Sequence, residues 1–392
     1  MNRMASTPAS TSAARRDASG PGTPSPTRLL TRYRRLVFLA WFLTLDLIMF
    51  GAFVRLTDSG LGCPDWPGCY GHLSPLGAGD HIRAALEAMP YGPVSAFKAW
   101  VEMIHRYAGA ILGLMIIAIT VCAWRLRHLP DRSPALAGCV LVMVCVQGAF
   151  GAWTVTHRLM PLVVTTHLVL GMGLLALMTW LAAREKRHAP VPADPGTGRA
   201  WMILGLAVLF LQVALGGWVS TNYAALACMD FPTCHGAWVP PMDFREGYAL
   251  LRGLGQLSSG ELISQDALTA IHWTHRNFAF LVIALLGALA WRWRRTPGLS
   301  GPARLLLALL ALQLLTGLTT IFFQWPLLIA VMHNGGAAGL VLVGVTLLWR
   351  LSRAGKIDRP SPQMHAARGL VQRSPMQGNP LDGARHDAPG SA

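Results

Sequence analysis

Residues 51–69 read GAFVRLTDSGLGCPDWPGC, and residues 216–234 read GGWVSTNYAALACMDFPTC. Each stretch ends a hydrophobic run and closes in a seven-residue cysteine loop. Gly51 matches Gly216 at an offset of 165. At the same offset Cys63 meets Cys228, Asp65 meets Asp230, Pro67 meets Pro232, Cys69 meets Cys234 and Gly71 meets Gly236. Internal similarity of this kind governs the whole reading of a chain. Further on, EMIHR at 102–106 aligns with HWTHR at 272–276. Gln147 meets Gln313 and His167 meets His333, both at offset 166.

The runs around these loops set the class. Of 392 residues 53% are hydrophobic and 13% charged, where an ordinary soluble domain carries about 25% charged residues. Mean hydropathy is +0.42. Apolar stretches of about 18 residues or more read as membrane spans, and in lipid a helix satisfies its own backbone groups. Eight such spans are predicted, at about 36–54, 104–124, 136–153, 162–182, 201–220, 271–291, 304–322 and 327–349. No short apolar core with a small-residue cleavage site opens the chain, so a signal peptide is not expected.

The net charge of +15 suggests nucleic acid until its placement is examined. Arg28, Arg32, Arg34 and Arg35 precede the first span. Arg125, Arg127 and Arg132 follow the second, and Arg184, Lys186, Arg187 and Arg199 separate the fourth from the fifth. Arg292, Arg294 and Arg295 follow the sixth, and Arg350, Arg353 and Lys356 the last. All fall on one face, which the positive-inside rule makes cytoplasmic along with both termini. The cysteine loops then lie on the outer face. The expected fold class is an all-α integral membrane protein with eight transmembrane helices, arranged as two tandem four-helix bundles. Four spans per half is an even number, so the repeat is parallel rather than inverted. The expected divisions are a disordered basic cytoplasmic tail at 1–35, a first half at 36–182, a cytoplasmic linker at 183–200, a second half at 201–349 and a disordered tail at 350–392.

Four histidines lie inside spans: His105, His167, His275 and His333. Ionisable residues at membrane depth are functional candidates, against the alternative of a hydrogen bond between helices. All four fall near the outer end of a span, two per half. Two imidazoles on separate helices suit an iron macrocycle with axial ligands. A zinc site from Glu102, His105 and His167, or from His272, His275 and His333, is the competing reading. Small residues follow one turn later, at Gly109, Gly171, Ala279 and Ala337, either admitting a flat ring or serving ordinary helix packing. Arg106 and Arg276 follow two of the histidines and suit propionate carboxylates, or else snorkel to headgroups.

The halves differ at one informative place. Glu102 stands one turn before His105, whereas His272 stands before His275. A buried carboxylate moves protons or stabilises positive charge, so the first half reads as reactive and the second as a cofactor holder. The alternative is a solvated Glu102 in the headgroup zone. Asp46 is a further acid within a span, with a polar partner across the bundle expected. Gln147 and Gln313 are expected to bond between helices or to a bound ring. Cys122, Cys139 and Cys145 read as packing residues. The pairs Cys63–Cys69 and Cys228–Cys234 read in three ways: disulfide staples, a redox-active pair, or a shared zinc knuckle.

GLGCPDWPGC, EMIHR, VVTTHLVLG, GGWVSTNYAALACMDFPTCHGAW, AIHWTHR and VMHNGGAA together resemble the haem A synthase family, over about 36–349. The resemblance implies a membrane oxidoreductase that oxidises a methyl group of haem O to the formyl group of haem A, for terminal oxidases. It implies haem b between His275 and His333, the substrate haem O between His105 and His167, and a catalytic Glu102. It also implicates Cys63 and Cys69 in the reaction, though many members lack one or both pairs. The implied location is a bacterial inner membrane with the cysteine loops periplasmic. The implied partners are membrane lipid, a haem O synthase and an unspecified electron donor, with a homo-oligomer left open and no nucleic acid. A non-catalytic di-haem b electron carrier is the alternative function. A transporter would need broken helices and a midplane site, and neither is seen.

Overall fold

The computed structural model describes residues 26–129, 134–186, 188–192, 197–256 and 260–355. Met1–Ala354 forms one compact unit, and of a second, Gly355–Ala392, only Gly355 is described. Residues 1–25 and 356–392 of the expected tails, part of the linker, and Arg132 and Arg187 lie outside the described residues.

The described residues form α-helices joined by loops, in the order α1 Pro26–Leu56, α2 Gly79–Ala88, α3 Ala96–Arg125, α4 Pro134–Thr156, α5 Pro161–Glu185, α6 Thr197–Thr221, α7 Phe244–Gly247, α8 Gln265–Trp293, α9 Ser300–Phe322 and α10 Leu327–Ser352. Among the described residues eight of these are long and apolar enough to cross a membrane. Extended pairing is limited there to isolated bridges such as Cys69 with His72 and Cys234 with Ala237. Ser95 caps α3 by accepting from the Lys98 N–H, and Ser264 caps α8 by accepting from the Ala267 N–H, which satisfies otherwise orphaned donors.

Helices α1, α3, α4 and α5 contact one another in a closed ring, and so do α6, α8, α9 and α10. The rings meet where α1 and α5 pack on α10 and α5 packs on α6. Small residues allow that approach: a side chain on Gly217 would strike Leu168 and Thr165, and one on Gly335 would press on Met49. One apolar core joins Met172 and Leu175 of α5 to Leu206, Leu286, Leu306 and Val341. Another gathers Val37, Leu112, Ile116 and Met178.

Several boundaries differ from expectation. The disordered tail expected through residue 35 is corrected for residues 26–35, which are the first turns of α1. Tyr33 is buried there, and Leu29 and Leu30 pack on the same core, so apolar contact carries the helix past the membrane run. Residues 350–352 of the tail expected from residue 350 are likewise helical, since α10 runs to Ser352 with Leu351 buried. Helix α2, which hydropathy does not mark, rests Ile82 against the first cysteine loop. Asp46, expected to pair across the bundle, is exposed on α1. Cys139 and Cys145, read as packing residues, are exposed on α4.

Candidate functional site

The two cysteine loops are built alike. Cys63 bonds to Cys69 and Cys228 to Cys234, so none of these sulfurs remains a thiolate for zinc. Both loops contain a cis proline, Pro67 and Pro232. Tyr70 and Gly71, like His235 and Gly236, have positive φ and form a tight two-residue turn of the kind that favours glycine. The Asp65 carboxylate accepts from the N–H groups of Tyr70 at 2.6 Å and Gly71 at 2.8 Å. Asp230 accepts from those of His235 at 2.8 Å and Gly236 at 3.0 Å, and from the Thr233 hydroxyl at 2.6 Å. That hydroxyl, with the two backbone donors, holds the Asp230 carboxyl well below the usual carboxylate range.

An arginine from the helix below clamps each loop. Arg106 of α3 donates to the carbonyls of Asp65 at 2.8 Å and Gly68 at 2.6 Å. Arg276 of α8 donates to those of Asp230 and Thr233, both at 2.8 Å, and Cys228 at 3.0 Å. These guanidinium groups, expected on propionates, thus serve the loops. Among the described residues the buried Nε of Arg276 has no partner.

Glu102 is buried, with 4% of its surface exposed, which removes the solvated alternative. Its Oε1 pairs with Arg106 Nη2 at 2.5 Å, and its Oε2 accepts from the Cys63 N–H at 2.9 Å. At the matching place His272 Nδ1 accepts from the Cys228 N–H at 3.2 Å. Both residues do the same structural work for their loop, but only Glu102 brings a carboxylate.

The four histidines come together in pairs. His105 and His167 lie within electrostatic range of each other, as do His275 and His333. His105 and His275 sit about a turn deeper than expected, as the tenth residue of α3 and the eleventh of α8, because both helices start early on their serine caps. Each ring packs on a glycine of a neighbouring helix: His105 on Gly51, His167 on Gly151, His275 on Gly216 and His333 on Gly317. Gly51 and Gly216 entered the sequence reading only as markers of the repeat, and Gly151 and Gly317 escaped it, although they share the offset of 166 that pairs Gln147 with Gln313.

His275 and His333 line a cavity of about 190 Å³ among the second set of helices, floored by Ala279 and Ala337 and also touched by Leu168 and Met172 of α5. The residues present fit a haem: two imidazoles from facing helices, small residues along the ring face, and a buried arginine Nε free to meet a carboxylate. Among the described residues no group of three or more His, Cys, Asp or Glu side chains forms a metal-binding cluster of the zinc type.

A family profile described as "Cytochrome oxidase assembly protein" (COX15-CtaA) matches residues 34–345. The chain is 38% identical over 326 residues to a heme A synthase of Shewanella oneidensis, covering 80% of this chain and 98% of that one. It is 28% identical over 337 residues to a heme A synthase of Caulobacter sp. strain K31, covering 81% and 95%. Another heme A synthase, from Shouchella clausii, is 29% identical over 250 residues, covering 61% and 75%. The chain belongs to the COX15-CtaA family of cytochrome oxidase assembly proteins.

Proposed function

We propose that this chain is a haem A synthase, a membrane oxidoreductase that converts haem O to haem A by successive hydroxylation of one ring methyl to a formyl group. The first half, 36–182, holds the substrate haem O between His105 and His167. The second, 201–349, holds haem b between His275 and His333. The halves form a tandem parallel repeat, with the termini cytoplasmic and the cysteine loops on the periplasmic side of a bacterial inner membrane. The one-sided arginine clusters support this orientation. Haem O arrives from a haem O synthase, an unspecified electron donor serves the reaction, and the assembly is open to a homo-oligomer.

One observation carries the enzyme reading: Glu102 is a buried, doubly bonded carboxylate one turn before His105, and His272 replaces it in the other half. A bound haem b supplies one-electron transfer. Glu102 supplies a fixed negative charge, preorganised by Arg106 and the Cys63 N–H, where positive charge develops beside the substrate ring. The Cys63–Cys69 disulfide acts on turnover through that carboxylate. His105 and His167 orient haem O, and the packed helices exclude water from it. The Arg276 Nε would meet a propionate of the bound haem, while Arg106 holds the first loop over the substrate side.

The test is to express the chain with a haem O synthase and extract the haems. Haem A or hydroxylated haem O is expected. Recovery of haem B and haem O alone overturns the enzyme reading and leaves a di-haem electron carrier.

A further inference from the structure

We propose that Thr316 and Gln212 are positioning residues that lock the two second-half imidazoles, and that their absence from the first half leaves His105 and His167 free to turn and release a haem. This rests on the reading that haem b resides in the second half and haem O passes through the first.

An iron-bound imidazole presents one ring nitrogen to the metal and carries a proton on the other. The partner of that second nitrogen fixes the ring's orientation and raises its basicity. His333 has such a partner. Its Nδ1 lies 2.9 Å from Thr316 Oγ1, and that hydroxyl donates its own hydrogen to the Leu312 carbonyl at 2.8 Å. With its hydrogen on that carbonyl, the hydroxyl turns a lone pair toward Nδ1 and matches the tautomer that carries its proton on Nδ1 and leaves Nε2 for a metal. The Gln313 amide adds a bond to the His333 carbonyl at 2.9 Å.

His275 also has a side-chain partner at Nδ1, an amide from α6. Gln212 Nε2 lies 3.1 Å from its Nδ1 and donates to its carbonyl at 3.1 Å. Gln212 Oε1 has no partner among the described residues. Turning this amide end for end presents Oε1 to an Nδ1 proton and gives up the bond to the His275 carbonyl in exchange.

In the first half both anchors are missing. At the offset of 165 set by Gly51 and Gly216, Gln212 faces Leu47. At the offset of 166 set by Gln147 and Gln313, Thr316 faces Phe150. Neither apolar side chain can accept a hydrogen bond. Accordingly, His105 Nδ1 and His167 Nδ1 are buried without a partner among the described residues. Gln147 approaches His167 on the Nε2 side, at a long 3.4 Å. Space does not explain the difference, because all four rings have a glycine beside them. A resident cofactor needs fixed ligands, whereas a site that takes in haem O and discharges haem A needs ligands that let go.

The experiment uses the purified haem-loaded protein. Thr316→Val and Gln212→Leu are compared with wild type by the low-spin EPR signal of the resident haem, its midpoint potential, and the rate of haem transfer to excess apomyoglobin. The expected result is a shifted EPR signal, a more positive potential and haem loss faster by about 10–100-fold. Thr316→Ser keeps the hydroxyl and is expected to restore wild-type values. The double variant Leu47→Gln with Phe150→Thr is expected to slow release of haem O. Unchanged signal, potential and loss rate in both Thr316→Val and Gln212→Leu would overturn the proposal, as would a Thr316→Ser protein that behaves like Thr316→Val. These readouts do not depend on turnover. Absent haem A with the shifts present would sink the enzyme reading alone, and haem A formation with no shifts would sink the anchors alone.

Discussion

Glu102 accepts a hydrogen bond from the backbone N–H of Cys63 at 2.9 Å, so a carboxylate inside a membrane helix is tied directly to the disulfide loop above it. The neighbouring Arg106 closes the circuit by binding both the carboxylate and the loop carbonyls. The loop and the acid therefore move as one piece.

Replacing Glu102 by Gln keeps an oxygen for the Cys63 N–H but removes the charge. Conversion of haem O is expected to fall by at least about 100-fold, with the haem b content unchanged. Glu102→His, which installs the second-half residue, is expected to be equally inactive. Chromatography of extracted haems checks both; conversion at the wild-type rate would remove Glu102 from the chemistry.

Arg106→Ala leaves Glu102 buried without its cation. Breaking such a pair from one side costs about 3–5 kcal/mol. A marked drop in the thermal unfolding temperature in detergent is expected. Arg106→Ala combined with Glu102→Gln should recover much of that loss, because the uncompensated charge is gone.

Cys63→Ser is expected to lower turnover more than Cys228→Ser, although both loops lose the same covalent link. The first loop bears on Glu102 and the second on the neutral His272. Equal losses in haem conversion would sink the distinction.

Gly216 and Gly317 make a paired test of ring placement. A β-carbon on Gly216 would sit 2.8 Å from His275 Cε1, close enough to force the ring aside, whereas one on Gly317 would lie at an ordinary 3.5 Å from His333 Cε1. Gly216→Ala is expected to disturb the low-spin haem spectrum and Gly317→Ala to leave it intact.

The eight helices were legible because lipid imposes long apolar runs, and the histidines because the repeat lifted four of thirteen into register. The arginines were harder. Their charge and position suit a propionate as well as a carbonyl, and only the folded loop shows which carbonyls lie within reach. Gln212 was missed for a different reason. The search for repeats rewards positions that agree, and Gln212 matters because it departs from Leu47. Its spacing of four from Gly216, on the helix facing His275, is the signal that marks it. Helix α2 carries no membrane-length run, so hydropathy passed over it.

Leu168 directly follows His167 on α5, yet its side chain lines the cavity of the opposite four helices. A single peptide bond thus joins a first-half histidine to the lining of the second-half cavity. The spacing between the His167 ring and that cavity is therefore set by the geometry of one helix, α5, rather than by how two sets of helices dock.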